Sequence, residues 1–503
     1  MPRIPVLIVG AGPTGLVLAL RLARHGVPFR IVSQDSGPGQ ASRAMVVQAR
    51  TLEFYAQLGL ADEVVARGIK VETAHLVERG ADAAAISLRD IGAGVSPFPF
   101  ALSFPQDDHE RFLVERLAAL GIKVEWNTRL EDFSERDGHV RAELRREGSG
   151  EEVCEAEYLC GCDGAHSAVR RRLGLGFAGG PYNQRFYVAD VRLARPPAAE
   201  LLFHVGARSL LVVLPVRSTG MWRLIGVVPP EFGDREQVSF EEIRPSAEEL
   251  LGCAVDTVNW FATYRVHHRV ASQFRVGRAF LAGDAGHLHS PAGGQGLNTG
   301  IGDAVNLSWK LAGVLGRRLG AGALDSYGTE RIAFARKLVE TTDRAFSTMV
   351  GEGWGSRFLR GWIMPHLLPA ASGFAAVRRA VFGTVSQTRI TYRDSALSEG
   401  QAGEVHAGDR LPWTGANFAP LAALDWRLHV YGDVRPALRD AAAALGAAVD
   451  GFPWDAATER CGFRRDAAYL VRPDGHVGFA SPEQDAATLR AYAGRIGLAA
   501  APH

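Results

Sequence analysis

The tightest constraint on the fold lies at the start of the chain, where Pro5-Val6-Leu7-Ile8-Val9 runs straight into Gly10-Ala11-Gly12-Pro13-Thr14-Gly15. The apolar run reads as a buried strand, and Leu16 to His25 carries apolar residues at helical spacing until Gly26 ends it. Phe29-Arg30-Ile31-Val32 supplies a second strand. In such a unit one glycine makes the tight turn, a second lets the main chain approach a pyrophosphate, and a third lets helix pack on strand. Gly10, Gly12 and Gly15 hold those places, and Pro13 and Thr14 open the helix. The chain therefore begins with a βαβ unit suited to a dinucleotide.

Such a unit ordinarily carries an acid about 20 positions on, to hold ribose hydroxyls. Here Ser33 stands at the strand end and Asp35 two residues later. Either Ser33 makes a weaker hydrogen bond, or Asp35 reaches in from the turn.

A second glycine-rich stretch runs from Gly283-Asp284-Ala285-Gly286-His287 through Pro291 and Gly293 to Gly294-Gln295-Gly296-Leu297-Asn298-Thr299-Gly300. Ala279 to Ala282 before it reads as a buried strand, and Ile301 to Leu315 after it as a helix. Its glycines allow close backbone approach, Asp284 offers an acceptor for a sugar hydroxyl, and the helix start favours an electron-rich or anionic group. One long ligand could touch both glycine loops.

At 503 residues the chain exceeds the size of one core, so two or three domains are expected. A hydrophobic content of 47% with a net charge of +1 gives no footprint for nucleic acid or an anionic membrane. The five cysteines are an odd number for a disulfide framework, and Cys154, Cys160 and Cys162 lack the second cluster of a zinc site. They read as reduced thiols of a cytoplasmic protein. Gly10 interrupts the N-terminal apolar run too early for a signal peptide. Gly361 to Val377 contains Pro365, His366 and Pro369 and falls short of a membrane span, so it reads as packing or subunit-contact surface, with peripheral membrane contact as the lesser reading; a homodimer is left open.

Between the glycine stretches, Ser42 to Glu53 leads into a helix; Arg43 is placed to serve a pyrophosphate, and Arg50 reads as solvated helix charge. Gln106 precedes a helix capped by Asp107 or Asp108 and is a candidate ligand contact. Short strands from Leu130 to Tyr158 end in a turn at Asp163-Gly164 followed by Arg170 to Arg172, which either holds phosphate or is only a tight turn. Phe186 to Val228 has the alternation of an antiparallel sheet that would floor an apolar pocket. After a helical stretch to about Phe346, composition shifts over Gly351 to Gly383. From Gly408 a small α/β module of thioredoxin-like order follows, without Cys-x-x-Cys and therefore without a redox role.

Together, the first glycine loop, the Asp163-Gly164 turn and the stretch from Gly283 resemble the single-component class A flavoprotein aromatic hydroxylases, over nearly the whole chain. Tyr469-Leu470-Val471-Arg472-Pro473-Asp474-Gly475 is similar to the tail of their phenol-hydroxylase and polyketide-hydroxylase branches. The resemblance implies an α/β architecture. A Rossmann-like FAD-binding domain (residues 1–180 and 270–350) carries an inserted antiparallel-sheet substrate domain (181–269). A helical connection (351–400) leads to a C-terminal thioredoxin-like α/β domain (401–503).

It further implies that Gly10, Gly12 and Gly15 bind the pyrophosphate of a non-covalent FAD. Arg43 and Gln106 would contact its pyrophosphate, ribityl or flavin region, Asp284 its ribityl or phosphate portion, and the backbone of Gly294, Gln295, Gly296, Leu297 and Asn298 its isoalloxazine, with Pro291 near the reacting edge. Asp163 belongs to a turn implicated in FAD and NAD(P)H binding, and Ser33 departs from the family's usual Glu. The implied reaction is hydroxylation of a phenolic or polycyclic aromatic substrate with NADPH or NADH and O₂, through a flavin C4a-hydroperoxide. No catalytic side chain is assigned: His204, Tyr264, His267 and His268 near the sheet read as structural, and His287 and His289 beside Asp284 give no metal site under this resemblance. Baeyer–Villiger or epoxidising oxygen insertion, and a non-catalytic FAD- or ligand-binding protein, remain as rival readings.

Overall fold

The computed structural model describes residues 3–39, 44–78, 81–197, 201–205, 210–217, 220–232, 235, 237–289, 294–350 and 375–500. Arg43, Pro291, Gly293 and most of the segment from Gly351 to Gly383 lie outside these residues.

The opening strand, Ile4–Val9, is an inner strand of a seven-stranded sheet, next to its edge. It pairs in parallel with Phe29–Val32 on one side and Gly150–Gly161 on the other, and the latter pairs in parallel with Ala279–Leu281. An antiparallel hairpin, Thr128–Arg136 with His139–Arg146, hangs on Gly150–Gly161. Strands buried on both faces run as continuous apolar segments, as Val6 to Val9 and Phe280 to Ala282 do. The register is what matters for function. Val9 stands opposite Val32 and Gly161, and Gly161 opposite Leu281, so four strands end in line. The loops at Gly10, Ser33, Cys162 and Ala282 leave from that one edge, where open parallel sheets bind their ligands.

Helix α1, Pro13–Arg24, packs on this sheet through Leu16, Val17, Leu18 and Leu20. Helix α2 spans Ala49–Gln57 and the long helices α3 and α4 span Gln295–Leu315 and Asp325–Val350. The start of α3 corrects the expected helix boundary at Ile301: Gly296, Gly300 and Gly302 hide the first turns from a propensity reading, but tertiary packing makes them helical. The expected cap at Asp107 or Asp108 is likewise corrected. That helix, Gln106–Ala119, starts after Pro105 with no side-chain cap, and both aspartates pair with Arg111 in its first turns.

The second sheet has eight strands, built around the long pair Phe177–Leu193 and Val255–Ala271. Tyr187, Ala189, Leu211, Val213 and Leu224 face the helix Phe240–Leu251 on one side. Alternation sends Val188, Asp190, Val212, Leu214, Arg223 and Ile225 to the other. Thr73–Glu78 joins this sheet in parallel with Leu201–Val205 and is followed by Ala81–Ser87, so an early part of the chain extends the sheet read from Phe186 to Val228.

Residues from Glu399 to Ile496 form a third, mixed sheet with helices. Arg427–Tyr431 pairs in parallel with Ala448–Phe452 and antiparallel with Ala468–Val471, which pairs with Val477–Ser481. Helices Pro436–Ala444 and Ala486–Ile496 pack on it. Among the described residues no helix is long and apolar enough to cross a membrane.

Burial also sets the response to acid. His25 and His109 are held neutral, their pKa lowered to about 3, and His429 to about 4, by loss of hydration first. In the unfolded chain these rings take up protons near 6.5. Their folded form is therefore undisturbed above that pH and loses stability as pH falls below it. We expect the urea midpoint to drop between about pH 7.5 and about pH 5, and equal midpoints would contradict the burial of these rings.

Candidate functional site

The site grows from the aligned strand ends. Gly10 donates to the Val32 carbonyl (2.8 Å) and Cys162 to that of Val9 (2.7 Å), which draws the first turn and the Asp163 turn together. Gly10 has φ 105°, and a Cβ there would lie 2.3 Å from the Cys162 oxygen; one on Gly15 would lie 2.0 Å from the Gly10 oxygen. Gly12 differs. Its φ is −74°, and a Cβ would meet nothing within 4 Å. The first and third glycines thus serve protein packing, and the middle one faces open space.

The two glycine stretches meet at Thr14. A Cβ on Gly283 would lie 2.5 Å from its hydroxyl oxygen and one on Gly300 2.4 Å, so only glycine lets the stretches close on α1. The start of α1 is thereby brought against the second turn of α3. Gly12 caps α1 and Gly294, left-handed at φ 63°, caps α3; neither offers a side-chain cap, and neither first turn holds an acid. Bare amides at such starts attract anionic and electron-rich groups. The open face of Gly12 at the uncapped start of α1 leaves room there for an anionic group.

Ser33 and Asp35 prove to be one unit: the Ser33 hydroxyl donates to the Asp35 carboxylate (3.0 Å). Glu110 lies nearby, accepting from Gly39 N (2.7 Å) and from Gln106 Nε2 (2.8 Å). Burial raises its pKa, with Asp35 and Asp107 adding to the rise. Gln106 also accepts from Ala44 N at 3.4 Å, so it ties its own helix to the segment before α2. The Asp163 carboxylate accepts from Ala168 N and Val169 N, and Arg170 spans from the Ala165 carbonyl to that of Ala285. The turn after Asp163 is therefore clamped to the turn at Asp284, which settles part of the open question about Arg170: its guanidinium holds protein carbonyls.

Asp284 stands exposed at the tip of the turn Gly283–Ala285. Asn298 is committed within the protein: Oδ1 accepts from Gln48 N (2.9 Å) and Thr51 (2.8 Å), while Nδ2 donates to Val46 O and Gly294 O. Gln295 donates to Val385 O and accepts from Gln387. The side chains of Gln295 and Asn298 are thus spent on protein contacts.

Sequence reasoning missed the centre that fixes the stretch. Asp303, buried in α3, accepts from Gly283 N (2.9 Å), His287 Nε2 (2.6 Å) and Arg331 (2.5 Å), and Tyr327 donates to Leu281 O (2.6 Å). A legible signal existed: Thr299, Asp303, Asn306 and Lys310 recur at helical spacing in an otherwise apolar helix. Arg50 is corrected as well. It is buried, not solvated, and bonds Glu53 and the Asp474 carbonyl. His204 lies on the sheet face covered by Phe240–Leu251, away from Leu214 and Arg223.

A family model described as FAD binding domain matches residues 3–342. The chain is 34% identical to 6-methylpretetramide 4-monooxygenase of Streptomyces rimosus, covering 97% of this chain and 92% of that protein. It is 30% identical to pentachlorophenol 4-monooxygenase of Sphingobium chlorophenolicum, covering 81% and 75%. Among solved structures, the flavin-dependent monooxygenase PieE, in complex with FAD and substrate, matches with a TM-score of 0.82 at 25% identity over 99% of both chains.

Proposed function

This chain belongs to the FAD binding domain family, and on that premise we propose that it hydroxylates an aromatic ring, phenolic or polycyclic, with NAD(P)H and O₂. It is an FAD-dependent monooxygenase. The observation that carries the reading is the closure of the second glycine stretch, through Gly283 and Gly300, on Thr14 at the uncapped start of α1, where Gly12 is open. Bound FAD supplies the redox and oxygen chemistry.

The protein's own work is binding, orientation and exclusion of water. Amides at the start of α1 hold the pyrophosphate, with Gly10 and Gly15 shaping the turn. Ser33 and Asp35 together take the ribose in place of a single acid. Asp284 hydrogen-bonds the ribityl chain, and the main chain from Gly294 to Asn298 lies along the isoalloxazine, with Arg43, Gln106, Asp163 and Pro291 completing the surround. Val188, Val212, Leu214 and Ile225, on the sheet face that also carries the buried Asp190–Arg223 pair, present an apolar floor for a ring and keep water from it. We read the first sheet with α1 to α4 as the Rossmann-like flavin domain, the second sheet as the substrate domain, and residues 401–503 as a thioredoxin-like domain. A cytoplasmic location, where NAD(P)H is available, completes the reading.

The test is direct. Purified protein is expected to show a flavin spectrum and, with phenols or aromatic polyketides, faster NAD(P)H oxidation with gain of one oxygen atom in the product. A ring-expanded ester or an epoxide would move the chemistry to the rival oxygen insertions. Protein that cannot be reconstituted with FAD removes the reading altogether. Asp284→Ala is expected to weaken FAD retention by about tenfold, the worth of one hydrogen bond to a charged group; flavin content equal to wild type after gel filtration would take Asp284 out of the site.

A further inference from the structure

The hairpin turn Arg472-Pro473-Asp474-Gly475-His476, between strands Ala468–Val471 and Val477–Ser481, is a densely hydrogen-bonded polar segment outside the cofactor loops. Its three charged or ionisable side chains are almost fully buried. Arg472 forks onto Glu330 of α4 (2.8 and 3.0 Å) and onto Asp474 (2.5 and 3.1 Å). The Asp474 carboxylate also accepts from Trp309 of α3 at 3.2 Å. Glu330 takes Lys310 at 2.8 Å. The Pro473 carbonyl accepts from Arg21 of α1 (3.2 Å). A turn from the C-terminal unit is thus seated among α1, α2, α3 and α4.

Two lines of contact lead from it to the glycine stretch. On the first, the Asp474 carbonyl accepts from Arg50 (2.7 Å), the second residue of α2. That helix start has no side-chain cap, and its Arg50 N–H is taken by Ser386 O. Gln48 and Thr51, on either side, grip Asn298, which holds the Gly294 carbonyl at 2.7 Å. On the second line, the His476 ring lies on Tyr392 at 4.4 Å between centroids. Arg331 joins the Tyr392 hydroxyl (2.8 Å) to Asp303, which accepts from Gly283 N. One line ends at Gly294 and the other at Gly283, the two sides of the stretch. Between them the interior is closed down to a void of about 10 Å³.

We infer that Arg472 to His476 are positioning residues for the flavin loop, so that the C-terminal unit sets the geometry of a cofactor site it does not touch. This rests on the flavin reading of the stretch Gly283 to Asn298. Buried polar chains of this kind transmit displacement because no water can replace a lost partner. A one-atom change at Asp474 therefore reaches the loop as a shift in position.

Asp474→Asn removes the charge and keeps the shape. Asp450→Asn, which breaks the Arg427 pair in the same C-terminal unit away from the loop, is the control. On full-length protein, FAD affinity is read by quenching of flavin fluorescence, the visible band of bound flavin by absorption, and coupling as product formed per NAD(P)H against hydrogen peroxide. Asp474→Asn is expected to weaken FAD binding by about tenfold or more, to shift the visible band and to raise the peroxide share, while Asp450→Asn matches wild type in all three. An Asp474→Asn protein that melts earlier yet binds FAD with wild-type affinity and spectrum would overturn the inference. If Asp474→Asn does not fold, Tyr392→Phe, which deletes one hydroxyl of the second line, carries the test with the same criteria. A wild-type protein that binds no FAD overturns the flavin reading itself, a result distinct from a flavin-binding wild type beside an indifferent variant.

Discussion

Gly12→Ala is expected to fold and melt like the wild type and to lose most of its flavin. A Cβ at this position meets no protein atom within 4 Å, and φ of −74° is open to any residue, so the apoprotein has nothing to lose. The same methyl group points into the open space at the uncapped start of α1, and a pyrophosphate held there must move away from those amides. Loss of two such charge-assisted bonds corresponds to roughly a hundredfold in affinity or more. Gly15→Ala provides the contrast: its Cβ would sit 2.0 Å from the Gly10 carbonyl oxygen, so helix and strand must part. That variant is expected to be destabilised by at least about 1–3 kcal/mol even without cofactor. Thermal melts of the apo forms and FAD titrations of both variants separate the effects. Wild-type flavin affinity in Gly12→Ala would place the phosphates elsewhere.

Asp303→Ala is expected to have the largest effect on stability of any single change outside the glycines. Burial alone would raise the Asp303 pKa, but Arg331 and then His287 hold it down, to about 2. Removing the carboxylate leaves the buried Arg331 without its charge partner and Gly283 N without an acceptor, a loss of about 3–5 kcal/mol. The acid limb follows from the same shift. A carboxylate with a depressed folded pKa contributes fully above its unfolded value of 3.8 and loses that contribution as pH falls toward about 2. Wild type should therefore show a steep loss of stability in that window, and Asp303→Ala a shallower one. Urea unfolding across the window measures both, and parallel curves would remove Asp303 from the set of stabilising groups.

The legible and the hidden parts of this molecule divide along the range of the forces involved. Gly10 to Gly15 were readable because the constraint on them is local: a strand, a turn and a helix within a few residues admit only glycine at Gly10 and Gly15. The same holds for the strand at Ala279, a short apolar run whose pattern is set by burial. The start of α3 escaped because Gly296, Gly300 and Gly302 have poor helix propensity, and only packing on Thr14 and α1 makes them helical. Thr73 to Ser87 did not read as part of the second sheet because pairing with Leu201–Val205 is a long-range fact.

Arg50 is the sharpest case. On its own helix it is an arginine of ordinary exposure, and nothing nearby in sequence says otherwise. Its partner carbonyl belongs to Asp474, brought to it by a hairpin at the far end of the chain. By itself, the sequence determined that a turn suited to a dinucleotide opens the chain, that an antiparallel sheet comes later, and that a second glycine-rich stretch beyond it joins a strand to a helix. Tertiary structure decided which buried charges hold that stretch in place, because a charge out of water is tolerated only beside a partner, and partners are set by where the chain folds back.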